Sequence, residues 1–406
     1  MDRFFRIICV ISLFGAVGLV YANFRLNSRA EDLFGHASAL AAKNDPRATA
    51  LFEKAALLNL PEANWRLAWT ALTSPNGPDY PKALPWLSRA ALLGHPKAQA
   101  QLGLAFEEGK GAPKVPHRAV HYYLLAAAQG ERLAQSRLAK AYEAGLGLAP
   151  DPEKALYWLK RAAAKNDPDS LYRLGQIYAK GSPPDLAAAA ESWLAAATYG
   201  QAEAQYQVAR LYELGEVLAP DPAAAFSWMA KAAESGLADA QQEVGVFLDE
   251  GFGTERDQAQ AAKWFLLAAG QGVAAAQNNL GVYYSQGLGG LPQDWERASQ
   301  WFLRAALSGN LEAQFNLGIT RANGHGLSQD YGEAAKWLRK AAEGGFAKAQ
   351  FFMGAYHEAG GLGGIPRDYE LAAEWYGKAA KQGLPEAQER LSRLRRTAKD
   401  IFLGVE

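Results

Sequence analysis

Cysteine is almost absent from the chain: one in 406 residues, Cys9, which falls inside the N-terminal apolar run. The folded part therefore has no disulfide and no thiolate for catalysis or metal binding, so its stability must come from packing. An excess of charge of one sign is also missing. Lys+Arg and Asp+Glu both number 42, which leaves nothing to attract nucleic acid. No G-x-S-x-G elbow, phosphate loop or H-E-x-x-H helix is present, so hydrolase, nucleotide-binding and zinc-protease chemistry have no motif to stand on.

What the chain does have is a repeat. From Leu51 onward a large residue, an Ala pair and a small turn residue recur. The turn residues are Asn59, Gly94, Gly130, Asn166, Gly200, Gly236, Gly272, Gly309, Gly345 and Gly383. Their spacings run 35, 36, 36, 34, 36, 36, 37, 36 and 38, the signature of stacked supersecondary units, which make a surface more readily than a catalytic centre.

Residues 238–272 illustrate one unit. Ala240, Val244, Phe247 and Leu248 follow helical spacing and define a helix A that stops at Gly251, a residue able to close a helix in the left-handed region. Asp257 then caps a helix B, and the same slot holds Asp151, Asp185, Asp221, Asp294, Asp330 and Asp368, with Pro152 and Pro222 following at the first helical position. Helix B carries the column Trp86, Tyr122, Trp158, Trp228, Trp264, Trp301, Trp337 and Trp375, read as core. In helix A, Gly103, Gly175, Gly245, Gly281, Gly318 and Gly354, with Ala68, Ala139 and Ala209 filling in, mark a close crossing, because interior Gly costs about 1 kcal/mol of helix propensity.

The pattern A-Q-x-x-L-G-x-x-Y, as in Ala204-Gln205 through Val208-Ala209 to Tyr212, then G-x-G-x-x-x-D and W-x-x-x-A-A-x-x-G, resembles the Sel-one-like repeat, a relative of the tetratricopeptide class. The resemblance covers nearly all of residues 30–396. It implies an all-α, right-handed superhelical solenoid of about ten antiparallel helix pairs, with helix A on the concave side and a C-terminal capping helix. Family members act as adaptors, in bacteria often at the envelope, with no catalytic residue, cofactor or metal. Relatives linked to penicillin binding carry paired cysteines; this chain lacks them, so that activity does not carry over.

The expected organisation is a signal peptide or membrane anchor at 1–24, a degenerate capping repeat at 25–60, repeats at 61–384, and a capping helix and tail at 385–406. Arg3 and Arg6 precede an uncharged run from Ile7 to Phe24, which points to export and a periplasmic location. Cleavage after Ala22 and retention as an inner-membrane tether both remain open, since about 18 apolar residues sit at the short end of a bilayer span.

Candidate chemistry is sparse. His117 and His121 lie four apart, but His117 occupies the slot that other units give to the Asp cap, and a surface pair is the plainer reading. More is expected where one unit departs from its siblings. The aromatic column Phe106, Tyr142, Tyr178, Tyr212 and Tyr284 gives way to Leu248, Arg321 and His357. Arg321 and His357, with Asn323 and His325, form a polar cluster able to receive an acidic group, or mark local repacking. Two residues before the small helix-A residue, the chain reads Arg66, Gln101, Arg137, Arg173, Gln207, Glu243, Asn279, Asn316 and Phe352. Arg66, Arg137 and Arg173, beside Gln101 and Gln207, are the expected contacts for an acidic partner segment. Arg390, Arg393, Arg395, Arg396 and Lys399 line a basic amphipathic end that caps the last repeat or lies on an anionic membrane. The expected function is a non-catalytic scaffold for envelope proteins. The alternatives are a peptidoglycan- or polysaccharide-binding accessory factor, and a cell-wall hydrolase or penicillin-interacting enzyme.

Overall fold

Local sequence already dictates helix after helix, because most stretches of about 13 residues start at a side-chain cap or proline and stop at or just before a residue that tolerates positive φ. The computed structural model describes residues 25–402, with side chains to residue 396. The expected signal or anchor at 1–24, its Cys9 and the last four residues lie outside the described residues. Among the described residues every regular element is helical, and no helix is long and apolar enough to cross a membrane.

The chain divides into two compact units, one ending at Tyr199 and one starting at Gly200. The first holds five A/B pairs: α1 (25–41) with α2 (Arg47–Leu57), α3 (Pro61–Leu72) with α4 (Tyr80–Leu92), α5 (Pro96–Glu108) with α6 (Pro116–Ala128), α7 (Arg132–Ala144) with α8 (Pro152–Ala163), and α9 (Pro168–Lys180) with α10 (Leu186–Thr198). The second holds five more: α11 (Ala202–Leu214) with α12 (Pro222–Glu234), α13 (Ala238–Glu250) with α14 (Gln258–Gly270), α15 (Ala274–Gln286) with α16 (Trp295–Leu307), α17 (Leu311–Asn323) with α18 (Tyr331–Glu343), and α19 (Ala347–Ala359) with α20 (Tyr369–Lys381). A last helix, α21 (Pro385–Phe402), packs on α20. Within each unit a B helix packs on its own A helix and on the A helix that follows.

The caps form as the sequence predicts. Asp151, Asp185, Asp221, Asp257, Asp294, Asp330 and Asp368 each accept the amide of the residue three ahead at 2.9–3.0 Å. Their own amides return to helix A, for example Asp257 N to the Leu248 carbonyl at 2.8 Å, which fixes the loop from both sides. One expectation fails: the cap slot of α6 is Val115, not His117, because Pro116 takes the first helical position and places His117 one residue further in. Asn59 and Asn166 fill two of the Gly turn slots at φ 65 and 58, the left-handed region that Asn tolerates best after Gly.

The core column is also shifted by one residue. The Trp column is only half-buried; the buried side chains are its successors, Leu87, Tyr123, Leu159, Met229, Phe265, Phe302, Leu338 and Tyr376, all at most 3% exposed, joined by Trp193 at 8%. The tryptophans instead lean on the surface under a cation one turn later: Lys231 over Trp228 at 3.9 Å, Arg304 over Trp301 at 4.6 Å, Lys340 over Trp337 at 4.3 Å and Lys378 over Trp375 at 4.1 Å. The helix-A glycines answer to the buried column. A β-carbon on Gly103, Gly245 or Gly354 would fall 2.5–2.7 Å from the ring of Tyr123, Phe265 or Tyr376. The crowding neighbour is a ring rather than a second helix backbone.

Adjacent repeats are stapled by a buried amide. Gln99, Gln135, Gln241, Gln277, Gln314 and Gln350 each donate to a carbonyl eight residues back, at the end of the preceding B helix, at 3.1–3.3 Å. That carbonyl is one of the orphan groups every helix C-terminus leaves behind.

Candidate functional site

With the caps, staples and buried columns assigned to packing, the A helices keep a narrow stripe of partly exposed positions one turn apart. In the first unit these include Arg66, Gln101, Leu104, Arg137, Lys140, Arg173 and Gln176. In the second they include Gln207, Arg210, Glu243, Val246, Asn279, Val282, Asn316, Ile319, Phe352 and Ala355. The first unit's stripe is cationic and amide-rich; the second turns apolar toward its end.

The expected arginines do not all stand free. Arg137 pairs with Glu107 at 3.1 Å, and Arg173 pairs with Glu143. In both cases the carboxylate lies 30 residues upstream, on the preceding A helix. Burial lowers the Arg173 pKa, and its Nη1 is buried with no partner. Glu107 also accepts the hydroxyl of Tyr123, whose pKa is raised by burial and then by that bond. Arg66 is exposed on α3 and makes no side-chain ion pair with any of the described residues, while Gln101 on α5 and Gln207 on α11 are half-buried. The column therefore divides into positions that tie repeats together and positions still available to a partner.

In the second unit the same column changes role. Glu243 is held above the usual carboxylate range, first by burial, with Arg210 opposing and Glu213, Asp239 and Glu250 adding to the rise. Asn316 donates to Asn278 at 3.0 Å. Phe352 joins Phe315 and Phe346 in an aromatic cluster with ring centroids 5.4 Å apart. Val246, Val282 and Ile319, which continue this apolar stripe, escaped the sequence reading. Their column, one residue after the small helix-A residue, runs Trp69, Leu104, Lys140, Gln176, Arg210, Val246, Val282, Ile319 and Ala355, so the signal was present in the repeat alignment.

The proposed polar cluster near the C-terminal end does not assemble as a bonded group. His325 packs on Trp295 with ring centroids 4.4 Å apart and the planes tilted by 39°, and Asn323 is exposed. His357 is 7% exposed. Arg321 Nε and His357 Nδ1 are buried without partners, and their backbone carbonyls take the Asp330 and Asp368 amides at 3.0 and 2.9 Å. His117 and His121 are exposed beside Phe106, Arg118 and Tyr122. Among the described residues no group of three or more His, Cys, Asp or Glu side chains is placed to hold a metal ion.

The Sel1 repeat model matches ten segments: residues 33–60, 61–95, 96–131, 132–167, 168–198, 202–237, 238–273, 274–310, 311–346 and 347–384. Among solved structures, the chain is similar to c5321, a protective antigen present in uropathogenic Escherichia coli strains and displaying an SLR fold. The two share 26% identity over 92% of this chain and 90% of that one, with a TM-score of 0.67. A Sel1 repeat protein from Oxalobacter formigenes is 29% identical over 75% of this chain and 89% of its own, with a TM-score of 0.50. No curated protein matches the chain. A solenoid of this kind is typically a scaffold for protein–protein interaction, and the ten consecutive matches settle the family: the chain belongs to the Sel1 repeat proteins.

Proposed function

We propose that this protein is a non-catalytic scaffold of the bacterial cell envelope, holding partner proteins along the exposed stripe of its A helices. The observation that carries this reading is the contrast between columns. Packing positions hold one chemistry from repeat to repeat, whereas the stripe changes from Arg66, Gln101 and Lys140 in the first unit to Val282, Ile319 and Phe352 in the second. A surface that changes its chemistry while the buried columns stay apolar suits recognition by a few anchors rather than by total area. The first unit favours a partner segment with acidic side chains, and the second favours an apolar one. The basic, then apolar N-terminal residues 1–24 support export, and the similarity to an antigen of uropathogenic strains fits an envelope setting.

The test is a crosslinking pull-down from native cells with Arg66→Glu and Ile319→Asp variants. Arg66 is the choice in the first unit because its charge is not committed to a neighbouring repeat. Loss of one envelope protein with unchanged circular dichroism supports the stripe; an unchanged partner list from both variants refutes it.

A further inference from the structure

The first turn of α20 presents open a loop seat that is filled on six other B helices. In six repeats the glycine of the A–B loop sits against the first turn of the preceding B helix: Gly111 on Tyr80, Gly147 on Pro116, Gly253 on Pro222, Gly289 on Gln258, Gly326 on Trp295 and Gly363 on Tyr331. A β-carbon at these glycines would strike the helix: Gly111 would meet the Tyr80 side chain, and the others backbone atoms of the first turn. The residue four ahead of that first turn completes the seat, with Leu84, Ala262 and Ala335 at 2.9–3.1 Å from the virtual β-carbons of Gly111, Gly289 and Gly363. Apolar neighbours of the glycine then anchor the loop in the core, as Leu148, Leu288, Leu327 and Ile365 do.

The equivalent seat on α20 is Tyr369 with Ala373 four ahead. Where another repeat would supply its loop, α21 continues as helix to Phe402. Around that seat lies a cavity of about 940 Å³, lined by Phe352, Leu362, Tyr369 and Ala373 on its apolar side and by Arg367 and Arg395 at its rim. Its lining holds four arginines against two glutamates, and Arg390 already pairs with Glu358 at 3.6 Å. The cavity thus surrounds the α20 counterpart of the internal loop seats and has a net positive lining.

We infer that this seat binds a partner protein through a glycine turn flanked by apolar residues and followed by an acidic side chain. The seat demands glycine for the same reason the internal loops do: any β-carbon meets the first turn of α20. The apolar flanks enter the pocket beside Phe352 and Leu362, and the acid meets Arg395, since Arg367 Nε and Nη2 already donate to the Ala359 carbonyl at 3.1 and 2.8 Å. This inference rests on the scaffold reading and extends it to the C-terminal end, where the seat shares Phe352 with the last step of the A-helix stripe but draws its charge from α21.

The chain itself supplies a probe. A peptide of residues 286–296, Gln-Gly-Leu-Gly-Gly-Leu-Pro-Gln-Asp-Trp-Glu, carries the turn, the leucines and the acids. Titrated into the full chain, it is expected to bind saturably, and to lose at least about tenfold in affinity when Arg395→Glu reverses the rim. The same loss is expected when the peptide's glycine corresponding to Gly289 becomes alanine, a change that leaves the protein untouched and so cannot act through misfolding. Equal binding of the two peptides, or none, overturns the inference. So does a gain of tenfold or more on ending the chain at Phe402, which would show residues 403–406 to be the occupant. Pull-down of a partner that survives Arg395→Glu but fails with Arg66→Glu would retain the scaffold reading while rejecting this seat.

Discussion

Gly245 has no side chain because Phe265 occupies the place: a β-carbon there would lie 2.5 Å from the ring, which is 1% exposed and cannot retreat. The trade recurs. Gly103, Gly175, Gly281 and Gly354 face Tyr123, Trp193, Phe302 and Tyr376, whereas alanine stands at Ala68, Ala139 and Ala209 in the repeats whose buried residue is Leu87, Leu159 or Met229. Gly245→Ala gains about 1 kcal/mol of helix propensity but overpacks a fixed ring at about 1–3 kcal/mol, so a net loss is expected in urea denaturation. Adding Phe265→Leu recreates the Ala–Leu pairing of other repeats. The double variant is then less destabilised than the two single losses sum to; simple additivity would show that the ring does not dictate the glycine.

A second prediction concerns the amide staples. Gln129, Gln271 and Gln382 each bond the Oε1 of their repeat's staple (Gln99, Gln241 and Gln350) at 2.8–2.9 Å and also a turn carbonyl of the preceding repeat at 2.9–3.2 Å. In the repeat of α15 and α16 the equivalent residue is Ser308, and Gln277 Oε1 is left buried without a partner. Ser308→Gln should supply both bonds and raise stability by about 0.5–1.5 kcal/mol. Gln271→Ser should lower it by a similar amount. Unchanged midpoints in both would mean that water serves these oxygens equally well.

How much of this was legible beforehand depends on whether an interaction lies within one repeat or between two. The period, the Asp caps and the glycine column are local and follow from turn and cap chemistry. The core column was misassigned because consecutive helix positions differ by about 100° of rotation, and the invariant-looking Trp drew the eye from a neighbour that varies among Leu, Met, Phe, Tyr and Trp. The Gly-to-aromatic and Ala-to-aliphatic matching holds in eight of these nine repeats, the exception being Gly318 against Leu338, and points to the buried column from the sequence. Arg137 and Arg173 looked free because Glu107 and Glu143 sit 30 residues away, in a register that only the stacked helices reveal.

The Glu243 carboxyl provides a pH test. Burial raises its folded pKa above the unfolded value, so the folded state holds the proton more tightly and stability falls as pH rises through the region above the usual carboxylate range. Glu243→Gln removes that penalty. The variant should match the parent at pH 4 and be more stable at pH 7, by about 0.2–1 kcal/mol as is usual for partly exposed charges. A variant that is less stable at pH 7 would mean that attraction to Arg210 outweighs burial.

The Arg173–Glu143 pair separates packing from recognition. Arg173→Glu alone sets two carboxylates against each other, and a cost of about 1–3 kcal/mol is expected for breaking a charged bond at a side chain 18% exposed. Combining it with Glu143→Arg restores the pair with its polarity reversed, so stability should largely return. The net charge of the face is unchanged by the swap, yet the guanidinium moves from α9 to α7. If the first unit's stripe reads an acidic segment at defined positions, the swapped protein folds normally but binds its partner more weakly. Full recovery of both stability and binding would assign Arg173 to holding the repeats together, as the 3.2 Å pair with Asp169 already does for Lys140, and leave Arg66 as the cation that a partner meets.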